Sequence, residues 1–371
     1  METTAQIRAA RKFGPGYFIR EQMDFREWTQ EDLAEVMGIT LKHLNKILQE
    51  NQPLTLETAR ILGEVFNTSA QYWINIDTGY RLWLEHEKSE KEKEADLKSL
   101  IYERMPVRDM IKKGWLARFN NTEDLKSQIL DFWNWDTLDF KQVDENLLPF
   151  LTRKSSAYNQ FNASYALTWY QKARNVSKSL PHSTHIRENL EKLYNKIHLY
   201  TIKNNGIELF LDELYQCGVV FFVLPHLQKT YLDGAAFISG ENPAIVYTGR
   251  YKRIDNFWFT VAHEIAHVLL HLGNKTPFIL DNLKDGEQNE IEDEANALAA
   301  AKLMHKEISE FLDPYLNYLT TNRVEECANK YNVHPSIIIG KLAYDKKLSY
   351  RNIFLYNEDV LNIIPEKYHK A

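Results

Sequence analysis

Three observations predict a multidomain protein: an all-α helix-turn-helix N-terminal domain, a helical connector and an α+β C-terminal domain. At 371 residues the chain exceeds one ordinary domain, and 44% hydrophobic with 26% charged residues is the composition of packed cores. Near the start, two short amphipathic helical patterns are separated by a glycine. Beyond residue 217, runs of β-formers and one long apolar helical stretch replace a purely helical periodicity. The boundaries expected are 13–83, 84–204 and 205–371. With 14 Gly, 11 Pro and 2 Cys the chain is neither collagen-like nor a disulfide-stapled scaffold. No run approaches the ~18 to 20 apolar residues of a membrane helix. The first residues lack the apolar segment of a secretory signal, so the expectation is a cytoplasmic protein with no membrane partner. A formal charge of -6 gives no global attraction for nucleic acid, so any such contact has to be local.

Gly14-Pro15-Gly16 ends a short basic arm, and a helix starts at Tyr17. Thr29 is placed as an N-cap with Asp32 at the third helical position, a variant capping box, and Leu33, Ala34 and Met37 continue one face until Gly38. After Ile39-Thr40 a second helix turns Leu41, Leu44, Ile47 and Leu48 inward and Lys42, His43, Asn45 and Lys46 outward. Pro53 to Glu57 opens a helix reaching Phe66, and Ser69 to Trp83 supplies another.

From Glu85 to Asp96 the charges alternate in sign with Ala95 as the sole apolar residue, the pattern of a solvated helical linker. The stretch from Leu97 to Leu180 is aromatic-rich and mostly helical, and Phe132, Trp133, Trp135, Phe140, Tyr165, Trp169 and Tyr170 are assigned to a core. Gly218 stops a further helix, Val219 to Leu224 reads as a buried strand, and Ala235–Ile238 with Pro243–Tyr247 reads as a hairpin around Ser239-Gly240-Glu241-Asn242.

The sharpest chemical signal is His263-Glu264-Ile265-Ala266-His267, an HExxH on an otherwise apolar helix that Asp255 is expected to cap. Histidines four apart project from one helix face and can bind one zinc ion. Glu264, at the neighbouring azimuth, can instead hold and deprotonate a water. Burying Glu264 without such a role costs several kcal/mol of lost solvation. The third ligand expected is Glu292, 25 residues after His267 on an acidic, then small-residue helix; Glu294 is its rival, since helix registers read from sequence shift by a residue or two. Ala295 and Ala299 share the side of Glu292 and allow close helix approach. Asn296 is the candidate to accept a hydrogen bond from a ligand imidazole. His271 is expected at the helix end, where a cation is favoured.

HEIAH followed by EDEANALAAAKLM resembles the ImmA/IrrE family of zinc metallopeptidases over roughly Ile207 to Ala343. That resemblance implies a gluzincin-like fold, His263, His267 and Glu292 as zinc ligands and Glu264 as general base. One departure is His305 after Leu303-Met304, where the family often has proline. The region from about Phe13 to Trp83 is similar to HigA-type antitoxins of the Cro/repressor helix-turn-helix superfamily, through Gly14-Pro15-Gly16, Thr29 to Ala34, Gly38-Ile39, Pro53-Leu54-Thr55 and Tyr72 to Asn75. The implied module is a dimer reading a palindromic operator, with Thr40, Lys42, His43, Asn45 and Lys46 on the recognition helix. Against this, residues 13–80 hold five basic and ten acidic side chains, so phosphate attraction is weak and the module could serve protein contact instead.

The reading that follows is a homodimeric DNA-binding regulator or antitoxin with a zinc-dependent endopeptidase domain. Its substrate would be a cognate toxin or repressor protein in a toxin-antitoxin or phage-defence locus. An extended substrate is expected to add to a strand of the hairpin, Ala235–Ile238 or Ala244–Tyr247. His305 and His334 are candidate oxyanion helpers by residue type alone. The alternatives are a non-proteolytic antitoxin and autorepressor with structural zinc, and a housekeeping aminopeptidase, which the fused helix-turn-helix disfavours.

Overall fold

The computed structural model describes residues 13–84, 89–141, 143, 162–273, 276–281, 290–349, 356 and 358–370. The chain divides into two compact units, Met1–Asp96 and Leu97–Ala371. Helices outweigh strands, with the helix-turn-helix in the first unit and an α+β layer structure in the second.

In the first unit, α1 (Pro15–Phe25), α2 (Gln30–Met37), α3 (Leu41–Leu48), α4 (Leu56–Phe66) and α5 (Ala70–Leu84) enclose a core of Ile19, Leu33, Leu44, Ile47, Leu62, Phe66 and Trp73. The capping box forms as the sequence predicts: Asp32 N donates to Thr29 Oγ1 at 3.1 Å and Thr29 N to Asp32 Oδ2 at 2.8 Å. Gly38 closes α2 at φ 68°, a left-handed conformation in which a side chain is strained. Thr40 caps α3 through a hydrogen bond from His43 N at 3.2 Å.

The charged linker continues as helix α6 (Glu90–Arg104), exposed through Asp96; residues 85–88 of the stretch lie outside the described residues. The second unit then runs through α7 (Val107–Lys112), α8 (Thr122–Trp133), α9 (Ala163–Ser179), α10 (Arg187–Tyr194), α11 (Ile197–Thr201) and α12 (Gly206–Gln216). Next come strands β1 (Val220–Val223), β2 (Gly234–Ser239) and β3 (Asn242–Tyr247), helix α13 (Ile254–Leu270) and strand β4 (Phe278–Asp281). The chain ends on α14 (Glu290–Lys302), α15 (His305–Leu312), α16 (Thr321–Tyr331), α17 (Pro335–Tyr344) and short 3₁₀ turns.

The strand order is β1-β3-β2-β4, with β1 parallel to β3 and β2 antiparallel to both β3 and β4. Gly240, at φ 65°, turns the β2–β3 hairpin. The sheet is apolar on both faces, each covered by its own helical layer. Phe221, Val223, Ala236, Ile245 and Tyr247 face a core shared with α10 to α13, whereas Val220, Phe222, Ala235, Phe237, Val246 and Leu280 face a core shared with α6 to α9. Alternation along each strand produces this division. Trp169, Tyr170, Phe132 and Trp133 are buried in the second core, so α7, α8 and α9 form a wall over that face of the sheet.

Two expectations change. Both hairpin strands are interior, β2 between β3 and β4 and β3 between β1 and β2, so their backbone hydrogen bonds are spent within the sheet and neither can accept an added strand. The sequence reading also lacked β4, a four-residue strand that pairs Gly234 to Phe237 of β2. Among the described residues β4 has no strand on its outer side. No helix of the described residues is long and apolar enough to cross a membrane.

Candidate functional site

Helix α13 carries the HExxH and lies between the sheet and α14, its most extensive helical contact. Fifteen of its seventeen residues are buried, including the polar Asp255, Asn256, Thr260, His263, Glu264 and His267. Tyr194 Oη donates to the carbonyl of Ala262 at 2.7 Å, and Arg187 Nη2 to that of Leu269 at 2.6 Å, anchoring the helix before and after the histidines. Asp255 does not cap it. The helix begins one residue earlier, with Arg253 at the cap position, and Asp255 lies in the first turn, ion-paired to Arg253 at 2.9 Å and packed against Gly340 of α17.

His263, Glu264 and His267 are each 0% exposed. The Nε2 atoms of His263 and His267 lie 2.9 Å apart, and Glu292 Oε2 lies 3.3 Å from the first and 3.7 Å from the second. A tetrahedral zinc ion with N and O ligands about 2.0–2.1 Å away spaces those ligands about 3.3 Å apart. The three separations bracket that value, and two imidazoles with one carboxylate are a donor set zinc prefers, so the residues fit the ion. Glu292 reaches the site because Ala295 and Ala299, both 0% exposed, let α14 settle closely on α13.

Glu264 turns toward β2: a Cβ on Gly234 would lie 2.2 Å from its Oε1 and 2.8 Å from Cγ2 of Thr260. The carboxylate therefore rests against bare backbone at the start of that strand. The sequence contained this signal only as an Asp-Gly pair before a strand, which reads as turn chemistry.

Glu294, the rival ligand, is mostly exposed and bonds His271 Nε2 at 3.0 Å. Asn296 is half-buried, and the outward Nδ1 of His267 meets His271 Nδ1 at 2.9 Å instead, because His271 is one turn along on the same helix face. The i,i+4 spacing was the sequence signal for this contact. His271 ends α13 as expected. His305 stacks on Phe259 at 5.6 Å between centroids, and Phe259 in turn stacks beside His263. Burial pushes the His305 pKa down to about 3. His334 caps α17 by accepting from Ser336 N at 3.2 Å. Where the family often has proline after residue 304, Met304 adopts φ 58° and His305 starts α15.

On α3, Lys42, Lys46 and Thr40 are exposed, whereas His43 and Asn45 are half-buried. The His43 ring lies 3.1 Å from Gln52 Nε2, and the Thr40 hydroxyl is occupied by its cap.

Two family models match. The IrrE N-terminal-like domain (Peptidase M78) matches residues 217–342, and the helix-turn-helix family matches residues 19–73. An uncharacterized HTH-type transcriptional regulator of Haemophilus influenzae is 32% identical over 72 residues, spanning 19% of this chain and 67% of that protein. Two solved structures are also similar. One is an addiction module antidote protein of the HigA family from Coxiella burnetii, 26% identical over 19% of this chain and 79% of that one, with TM-score 0.19. The other is PA4674 from Pseudomonas aeruginosa in complex with its operator DNA, 27% identical over 24% of this chain and 96% of that one, with TM-score 0.22. The matched regions coincide with the first unit and with the sheet, α13 and α14 of the second. The chain is thus a fusion whose N-terminal domain belongs to the helix-turn-helix transcriptional regulators and whose C-terminal domain is of the ImmA/IrrE type.

Proposed function

We propose that the C-terminal domain is a zinc-dependent endopeptidase, with His263, His267 and Glu292 holding the ion and Glu264 as general base. The observation that carries this reading is the donor triangle of 2.9, 3.3 and 3.7 Å next to a fully buried glutamate on the same helix. Zinc, when bound, supplies Lewis acidity toward a peptide carbonyl and lowers the pKa of a water. The Glu264 carboxylate takes the proton of the attacking water and delivers it to the amide nitrogen as the C–N bond breaks. Its contact with the backbone at Gly234 sets where that proton is received. An extended substrate would pair along the outer edge of β4, since β2 and β3 are enclosed.

The helix-turn-helix family match and the Haemophilus influenzae regulator support DNA binding by the first unit, and in the proposed reading α3 enters the major groove of a palindromic operator bound by a homodimer. The substrate would then be a cognate toxin or repressor protein in a toxin-antitoxin or phage-defence locus, and the protein a cytoplasmic one.

The test is zinc content together with cleavage of candidate partner proteins followed by mass spectrometry. Wild type should hold near one zinc per chain, His263→Ala or His267→Ala should lose it, and Glu264→Gln should keep it while cleavage falls at least ~100-fold, the contribution of a general base. Metal unchanged in both histidine variants would end the zinc reading. Glu264→Gln neutralising a toxin in cells as well as wild type, with no partner cut by either, would put a binding-only antitoxin and autorepressor in its place.

A further inference from the structure

The metal-centre reading leaves one feature of α13 and α14 unexplained. Beyond the donor triangle, His267, His271 and Glu294 form a continuous chain of side chains: Nδ1 to Nδ1 at 2.9 Å, then Nε2 to carboxylate at 3.0 Å. The two ends of this chain have opposite requirements. At one end, Nε2 of His267 faces His263 and Glu292 and keeps its lone pair for a metal, so the single N–H of the neutral ring is on Nδ1. At the other end, the carboxylate of Glu294 offers its oxygen to His271 Nε2 as an acceptor. Both requirements are met by one arrangement of protons. His267 Nδ1–H donates to His271 Nδ1, and His271 Nε2–H donates to Glu294.

We infer that His271 and Glu294 are positioning residues, a hydrogen-bonded tether that holds the His267 ring in its metal-binding tautomer and ties the ligand-bearing helix α14 to α13. This rests on the proposed zinc site. A metal-bound imidazole usually gives its second N–H to a carboxylate or carbonyl directly. Here an imidazole is interposed, because the next turn of α13 places a histidine, not a carboxylate, against His267. Glu294 lies two residues from Glu292, so α14 supplies both a ligand and the anchor of a ring on the opposite helix. The His271 side chain is 8% exposed and that of Glu294 67%, which makes the imidazole the stronger member and the carboxylate, screened by water, the weaker.

Zinc affinity, measured on the full chain by competition with a chromophoric chelator, tests the tether. His271→Leu keeps much of the volume but offers no acceptor, and should weaken zinc 10- to 100-fold, the usual effect of losing a ligand's orienting partner. In His271→Asn the amide oxygen stands near the position of Nδ1 and can accept from His267, so affinity should return to within a few-fold of wild type. A packing role would give the reverse order, leucine tolerated better than asparagine. Glu294→Ala should have a smaller effect than His271→Leu and add little to it, since both break one chain.

Two-bond ¹H–¹⁵N correlation spectra of the zinc-loaded protein supply an independent readout. They should show His267 protonated on Nδ1 and His271 on Nε2. His271→Leu binding zinc as tightly as wild type, or His271 protonated on Nδ1, overturns the tether. If His263→Ala abolishes zinc binding while His271→Leu leaves it unchanged, only the tether falls. If wild type holds no zinc, the tether and the metal centre fall together.

Discussion

Replacing Gly234 by alanine tests the placement of the proposed general base more sharply than removing the base itself. The added Cβ would lie 2.2 Å from Glu264 Oε1, 3.0 Å from its Cδ and 2.8 Å from Thr260 Cγ2. Ordinary contact begins near 3.5 Å, so the carboxylate has to retreat by roughly 1.3 Å. Glu264 is 0% exposed, so the retreat cannot be taken up in solvent. A displacement of about 1 Å at a reacting group costs on the order of 100-fold in rate. The overpacking itself costs about 1–3 kcal/mol, roughly 2 to 10 °C in Tm for a unit of this size. Zinc content should not change, because the three atoms nearest the new methyl belong to Glu264 and Thr260 and not to a donor residue.

The assay is turnover of any peptide or protein that wild type cleaves in a Glu264-dependent way, with Tm measured alongside. Gly273→Ala is the control: among the described residues nothing lies within 4 Å of its Cβ, so its effect should stay within about 0.5 kcal/mol. Glu264→Asp, one methylene shorter, should relieve the clash, so the double variant Gly234→Ala/Glu264→Asp should be faster than the product of the two single losses. Wild-type turnover in Gly234→Ala, or strictly multiplicative losses in the double variant, would refute the packing of the base against β2.

Two further outcomes follow from the site and the recognition helix. Lys42→Ala with Lys46→Ala removes the two exposed cations of α3 and should reduce the slope of log K against log salt for promoter DNA by about 2, leaving zinc content unchanged; a gel-shift titration in salt checks it. His305 has its pKa lowered in the fold, from 6.5 to about 3, chiefly by burial and further by Lys341, so protons favour the unfolded chain. Its contribution is intact above pH 6.5 and is lost as pH falls toward about 3, at no more than about 1.4 kcal/mol per pH unit. Melting curves of metal-free protein should therefore show a shallower acid limb in His305→Phe than in wild type.

Much of the site is local in origin and could be read from residue spacing. Two histidines four apart share a helix face by the geometry of the α-helix, and the capping box at Thr29, the glycine stop at Gly38 and the Gly240 turn each follow from residue types within a few positions. Small residues at 295 and 299 announce a close helix contact, but not its azimuth. Whether Glu292 or Glu294 meets the histidines depends on how α14 is rotated on α13, which tertiary packing sets. The same rotation gives Glu294 to His271. Strand order is equally non-local. The alternation in β2 and β3 specifies two apolar faces, yet only pairing with β1 and β4 makes them interior strands, and only the packing of α7, α8 and α9 over the second face explains why that face is apolar. Gly234 carries no side chain to announce its role; its importance exists only because α13 crosses beneath β2 and brings Glu264 against its backbone.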